Sequence, residues 1–153
     1  MIQKSRFKMT SEVWKYVPNL GGVMASSLGR IIKQPKYCPM WHGGYRAYMP
    51  KPTYGNITRS NKTAKHSYRG VYYKGIGNVK VHQAVCAAFH GEKPFDKAVV
   101  IHLDENAHNN VPENLKWGTQ KENLNSPKFI EYCKSRTGEN SNYYKHQRKK
   151  DAA

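Results

Sequence analysis

The sequence predicts an α+β fold: a small β-rich N-terminal part, a ββα unit, and a C-terminal helix with a basic tail. Three observations carry this expectation. Short alternating stretches punctuated by Pro and Gly fill the first half of the chain. The period changes at His82-Gln-Ala-Val-Cys-Ala-Ala-Phe89, where Val85, Ala88 and Phe89 fit one face of a helix. Further on, an apolar run, an amide-rich turn and a second arm lead into a helix-start signal at Thr119.

The elements follow in order. Glu12 to Pro18 alternates as a strand and stops at proline, Asn19-Leu-Gly-Gly22 is a turn, and Val23 to Ile32 reads as two strands around a Leu-Gly bend. Residues 35–69 are irregular, with Gly44 to Met49 alternating as a strand. Gly70 to Lys74 and Val79 to Val81 flank a tight turn, the helix follows, and Gly91 ends it. Ala98 to Ile101 is a strand of the buried type, Asp104 to Pro112 a long polar turn, and Pro112 to Trp117 the second arm. Thr119 and Glu122 form a capping box, which starts a helix near Gln120 and projects Asn123 from its first turn. The chain after Arg136 lacks apolar periodicity and reads as extended or disordered until bound. These elements group as 1–69, 70–125 and 126–153.

Charge narrows the partners. The 153 residues carry 26 Lys and Arg against 10 Asp and Glu, a formal net charge of +16. Such an excess favours a polyanion, whose condensed counterions are released on binding. No apolar run approaches the ~20 residues that span a bilayer, and the N-terminus has no hydrophobic signal segment, so a cytoplasmic location is expected. Cys38, Cys86 and Cys133 are odd in number and far apart, which suggests reduced thiols, with Cys86 a small core residue. In residues 35–69, Tyr45, Tyr48, Tyr54 and Tyr68 interleave with Arg46, Lys51, Arg59, Lys62 and Lys65. Two readings stand side by side: a phosphate-contacting surface, or tyrosines covering a thin sheet.

The chemistry concentrates between Val100 and Asn123. His102, Asn114 and Asn123 are 12 and 9 residues apart, with Trp117 as an anchor between the asparagines. A strand, a turn and a helix start bring the three side chains together. A free imidazole has a pKa near ~6.5 and can act as a base in the cell. An amide oxygen is a hard ligand suited to Mg²⁺ or Mn²⁺. Together they can activate water against a phosphodiester.

These residues resemble the HNH nuclease motif, a ββα-metal (His-Me) finger, and the pattern is nearest to phage HNH homing endonucleases. The resemblance rests on Val81 to Phe89, His102-Leu-Asp104, Asn109-Asn110, Asn114-Leu-Lys-Trp117 and Thr119 to Asn123. Glu12 to Pro18 with Ser26-Ser-Leu-Gly-Arg30 is similar to the NUMOD-type module that often precedes this nuclease. Thr137-Gly-Glu-Asn140 with Asn142-Tyr143 resembles, more weakly, other DNA-binding repeats of such enzymes.

The resemblance implies cleavage of double-stranded DNA with one divalent metal, Mg²⁺ or Mn²⁺, by a monomer. It makes His102 the general base, Asn114 the residue that holds the loop and Asn123 a metal ligand. It also exposes a departure: Ile101 stands where the family often has a metal-binding Asp or Asn. Asp104 is the nearest acidic substitute, two residues past His102 and on its face if the strand continues; capping the turn is its other and favoured role. Weak metal binding, or substrate-assisted binding through the DNA phosphate, is expected. Arg30, Arg46, Arg59, Lys62, Lys65 and Lys149 are candidate DNA contacts. His82 reads as a structural hydrogen-bonding residue, His108 as an exposed loop residue, and Trp117 as packing under the finger. Two other readings stand: a DNA-binding protein with a degenerate finger, for which Ile101 speaks, and a nuclease acting on RNA.

Overall fold

The computed structural model describes residues 11–59, 67–138 and 141. Lys62, Lys65, Lys149, the basic run Lys145 to Lys150 and the Asn142-Tyr143 part of the repeat-like tail lie outside the described residues. The fold is α+β, β-rich at the N-terminal end, with helices following. Strands β1 (Trp14–Tyr16), β2 (Val23–Ser26) and β3 (Ile31–Lys33) form an antiparallel meander in that order. β4 (Lys36–Pro39) and β5 (Tyr45–Tyr48) make a separate hairpin. β6 (Asn56–Arg59), β7 (Ser67–Tyr73) and β8 (Gly77–Lys80) make a second three-stranded sheet. Residue 69 lies within β7, so that sheet takes strands from both sides of the boundary drawn from the sequence.

Helix α1 (Val81–His90) begins directly at the end of β8, so Val81 opens the helix instead of closing the strand. Its Val81, Ala84 and Val85 lie on one face and are fully buried. That face meets Val17, Val23, Ala25 and Ile31 of the N-terminal meander on one side, and Val79 and Leu115 on the other. One core therefore joins the meander to the second half of the chain through α1. Cys86 lies in it, and burial pushes its thiol up to about 12, as suits a packing residue. Gly91 stops the helix at φ 85°.

β9 (Val99–His102) and β10 (Leu115–Gly118) form an antiparallel pair, with His102 opposite Leu115 and Ile101 opposite Lys116. Helices α2 (Gln120–Leu124) and α3 (Pro127–Lys134) follow. The expected capping box is present: Thr119 Oγ1 accepts from Glu122 N at 3.1 Å, and Glu122 Oε2 accepts from Thr119 N at 2.7 Å. Trp117 Nε1 donates to Gly91 O at 2.9 Å, and His90 Nε2 donates to Pro112 O at 2.7 Å, so the end of α1 is tied to the finger.

The turn between β2 and β3 meets the loop after β9 at Gly29. Gly29 has φ +74°, and a β-carbon there would stand 2.9 Å from the backbone C and O of Asn110. Gly29→Ala is expected to cost roughly 1–3 kcal/mol through the dihedral and the clash together. Gly75→Ala, at φ +88° with open space around it, isolates the dihedral part and is expected to cost less. Thermal melts of the two variants check this; equal losses would mean that the Asn110 contact carries no weight.

Candidate active site

The loop from Leu103 to Asn110 is closed by side-chain amides. Asn114 is 7% exposed. Its Oδ1 accepts from Asp104 N at 3.0 Å, and its Nδ2 donates to Asp104 Oδ1 and Asn109 O, both at 2.8 Å. Asn109 Nδ2 donates to Asp104 Oδ2 at 2.8 Å, and Asn106 N to Asp104 Oδ1 at 2.8 Å. β9 ends at His102 and the chain turns at once, so the strand-like trace that would set Asp104 beside His102 is not there. Its carboxylate instead receives the donors of the turn. The Asn109 amide, with Asn106 N and the Asn114 amide behind it, holds that carboxyl down at about 2.

This closure carries Asn110 to His102. His102 Nε2 lies 3.1 Å from Asn110 Oδ1. A carbonyl oxygen only accepts, so Nε2 carries the proton and Nδ1 keeps the lone pair. Burial lowers the His102 pKa from its ordinary value, against the Asn110 hydrogen bond and Asp104, which raise it. The imidazole is thus kept neutral, as a base must be. His102 and Asn123 line the same cleft of 560 Å³, with Tyr68, Ile101 and Glu105 also on its wall. The structure therefore brings His102 and Asn123 to one space, while Asn114 lies behind, in the loop.

Several residues at this place were not singled out from the sequence as site residues. Asn110 holds His102. Glu105, at φ 56°, has its carboxylate bound to α3: Oε1 accepts from Lys128 N at 3.2 Å, and Oε2 lies 3.6 Å from Lys128 Nζ. The Tyr68 ring stacks on His102 with centroids 6.5 Å apart, and the His82 ring lies tilted to it at 5.5 Å. No spacing rule reaches Tyr68 and His82, because β7 and α1 arrive from another part of the chain. His108 is exposed, with its ring 3.5 Å from Ser67 Oγ. Trp117 packs against the core as expected.

Of the candidate DNA contacts, Arg30 is bound in a two-pronged ion pair with Glu12, its Nε 2.9 Å from Glu12 Oε1, beside Trp14 and Tyr54. Arg46 lies over the Tyr48 ring on the exposed β5 strand. Arg59 ends β6.

Residues 79–125 match the family model described as HNH endonuclease. No curated protein matches the chain. A solved structure on DNA binding and cleavage by the HNH homing endonuclease I-HmuI is similar over 89% of this chain, at 25% identity and a TM-score of 0.45. The chain spans 64% of that structure's own chain, less than two thirds of its length. Among the described residues, no helix is long and apolar enough to cross a membrane.

His82 gives the matched segment a pH signature. It is 5% exposed, and its Nδ1 has no hydrogen-bond partner among the described residues. Burial, with His102 and Lys80 nearby, lowers its pKa to about 3. The unfolded chain binds this proton near ~6.5 and the folded chain does not, so stability falls as pH drops below about 6.5 and goes on falling towards 3. The slope from this one group is about 1.4 kcal/mol per pH unit. Urea unfolding of the wild type and His82→Leu at pH 7 and pH 5 checks this: the loss on acidification should shrink in the variant, and an unchanged loss would place its source elsewhere.

Proposed function

We propose that the chain is a metal-dependent HNH endonuclease that hydrolyses phosphodiester bonds of double-stranded DNA. The observation that carries this reading is the shared cleft of His102 and Asn123 within the matched segment, with Asn110 fixing the protonated nitrogen of His102. In this role His102 Nδ1 takes a proton from water, the water oxygen bonds to phosphorus, and the P–O bond to the departing 3′-oxygen breaks. Asn114 acts at a distance, by closing the loop that presents Asn110.

The donors at the cleft suit a sparsely held Mg²⁺ or Mn²⁺. No cluster of three His, Cys, Asp or Glu stands ready for a metal among the described residues. Asn123 offers one amide oxygen, Asp104 is committed to the turn, and Ile101 offers only carbon. A hydrated Mg²⁺ that takes further ligands from phosphate needs no more protein than this. Such an ion would be held by Asn123 and, when bound, would relieve charge on the phosphate and leaving oxygen. Glu105 is the carboxylate on the cleft wall, although α3 engages it.

Arg46 remains a DNA contact in this reading, with Arg59, Lys62, Lys65 and Lys149 as further phosphate partners, while Arg30 serves the ion pair with Glu12. A NUMOD-like role for the meander, a division into DNA-contacting region, nuclease domain and basic tail, monomeric action in a host cytoplasm and a homing-type, phage-borne role complete the proposal. Ile101 supports a second reading, a DNA-binding protein whose finger no longer cuts.

Supercoiled plasmid distinguishes the two. Nicking that needs Mg²⁺ or Mn²⁺, stops in EDTA and falls about 10²–10⁴-fold in His102→Ala is expected; tight binding with no nicking in either metal supports the second reading. Ile101→Asp adds a carboxylate at the cleft wall. It is expected to lower the Mn²⁺ concentration that half-saturates nicking by about tenfold, and an unchanged titration would remove Ile101 from the metal's surroundings.

A further inference from the structure

Among the described residues, the most exposed aromatic side chain stands at the tip of the β4–β5 hairpin. Trp41 is 96% exposed, whereas Trp14 and Trp117 are half-buried. A tryptophan is normally well buried, because its ring is large and apolar. Its setting is ordered by the backbone. Met40 N donates to Gly44 O and Gly43 N donates to Met40 O, both at 3.1 Å. Gly43 and Gly44 take φ 88° and 84°, a conformation that side chains other than glycine rarely adopt. The His42 ring sits edge-on to the indole at 5.2 Å.

Among the described residues, the hairpin below the tip is a ribbon paired only with itself. Its register puts Lys36, Cys38, Arg46 and Tyr48 on one face, and Tyr37, Pro39, Tyr45 and Ala47 on the other. Tyr37, Tyr45, Tyr48 and Met49 are all exposed. Neither face has the burial that would make this hairpin a structural element. Its charge is one-sided as well: no acidic residue stands between Glu12 and Glu92 in the sequence, while Lys33, Lys36, Arg46 and Lys51 flank or lie on the ribbon. A surface of exposed aromatics without acid complements a polyanion that offers flat apolar faces, which is what stacked bases inside a phosphate cage provide.

We propose that the β4–β5 hairpin enters a groove of duplex DNA and that Trp41 stacks against the bases as a wedge. This rests on the DNA reading above and gives that reading a second contact, apart from the cleft. β-Ribbons enter either groove of DNA, and an apolar wedge inserted from the minor groove parts a base step and kinks the duplex. Lys36 and Arg46 then meet phosphate from the basic face.

Tryptophan emission reads this directly. The full chain, in EDTA to prevent cutting, is titrated with a mixed-sequence duplex of about 30 base pairs, long enough to exceed an interface of ordinary size. Binding is followed in parallel by mobility shift. A saturable change in emission and a loss of acrylamide access are expected. Trp41→Ala should abolish both and weaken duplex binding by about 5- to 100-fold, the range of one aromatic–base stack. Trp41→Tyr should recover most of the affinity. Melting curves of both variants should match the wild type, since the tip lies outside the core.

Duplex binding with silent emission, or equal affinity in Trp41→Ala, overturns the proposal. So does an emission change with duplex RNA and none with DNA, or one that follows protein concentration without nucleic acid. Plasmid nicking keeps the two ideas apart. If metal-dependent nicking persists while Trp41 stays silent, only the hairpin's role falls. If the wild type neither shifts DNA nor nicks it, the DNA reading falls with it.

Discussion

The buried amide of Asn114 is the constraint on which the site depends. Between β9 and the short helical turn Pro112–Asn114 the chain has no strand or helix to satisfy its backbone groups, so they need partners from side chains. Asn114 supplies one acceptor and two donors to a single loop, and Asp104 completes the set by accepting from Asn106, Asn109 and Asn114. The loop is closed by polar bonds, not by apolar packing. That closure delivers the Asn110 side chain to His102 Nε2 and so leaves the lone pair on Nδ1. Asn110 Nδ2 is buried without a partner among the described residues. A buried unpaired donor costs about 1–3 kcal/mol, which the rest of the loop has to offset for Asn110 to stay against His102.

The second dependence is on α1. Two short strands and a five-residue helix make too small a body to be stable alone. β9, β10 and α2 gain their support because the buried face of α1 packs Leu115 and residues of β2 and β3 into one core. Gly29 then sets the β2–β3 turn directly on Asn110. The meander and the Leu103–Asn110 loop are therefore in direct contact. A displacement of the meander reaches Asn110, and through it His102, without passing through a flexible linker. For a protein read as a nuclease, this couples the part proposed to hold DNA to the orientation of the base.

What was legible in the sequence follows from this physics. The capping box at Thr119 and Glu122 was readable because it is local: three residues of separation determine both bonds. Helix α1 was readable because one of its faces is buried, and the meander because Val23, Ala25 and Ile31 alternate into the core. β4 and β6 were not readable. β4 buries no residue, so it has no alternation to show, and pairing partners rather than hydrophobicity define both strands. The site divided in the same way. His102, Asn114 and Asn123 lie on one continuous motif, whereas Tyr68 and His82 reach the imidazole from β7 and α1 by tertiary packing. Arg30 looked free to meet phosphate because its partner, Glu12, is 18 residues away and only the meander brings them together.

Ile101 is better understood through its contacts than as a missing ligand. A β-carbon on Gly118 would fall 2.5 Å from Ile101 Cδ1 and 2.8 Å from Glu122 Oε2. Gly118 is thus held without a side chain by two groups at once. One is the isoleucine, and the other is the carboxylate of the capping box that starts α2. The isoleucine fills the space beneath the first turn of α2, and that turn carries Asn123 to the cleft. An acid at position 101 would bring a donor oxygen but lose this apolar filling, at a desolvation cost that only a bound cation would offset. With isoleucine there, Gly118 is pressed between Ile101 and the Glu122 carboxylate at the start of α2. In the proposed reading, the affinity that a second protein ligand would have supplied is left to the phosphate of the substrate, which makes metal binding and DNA binding parts of one event.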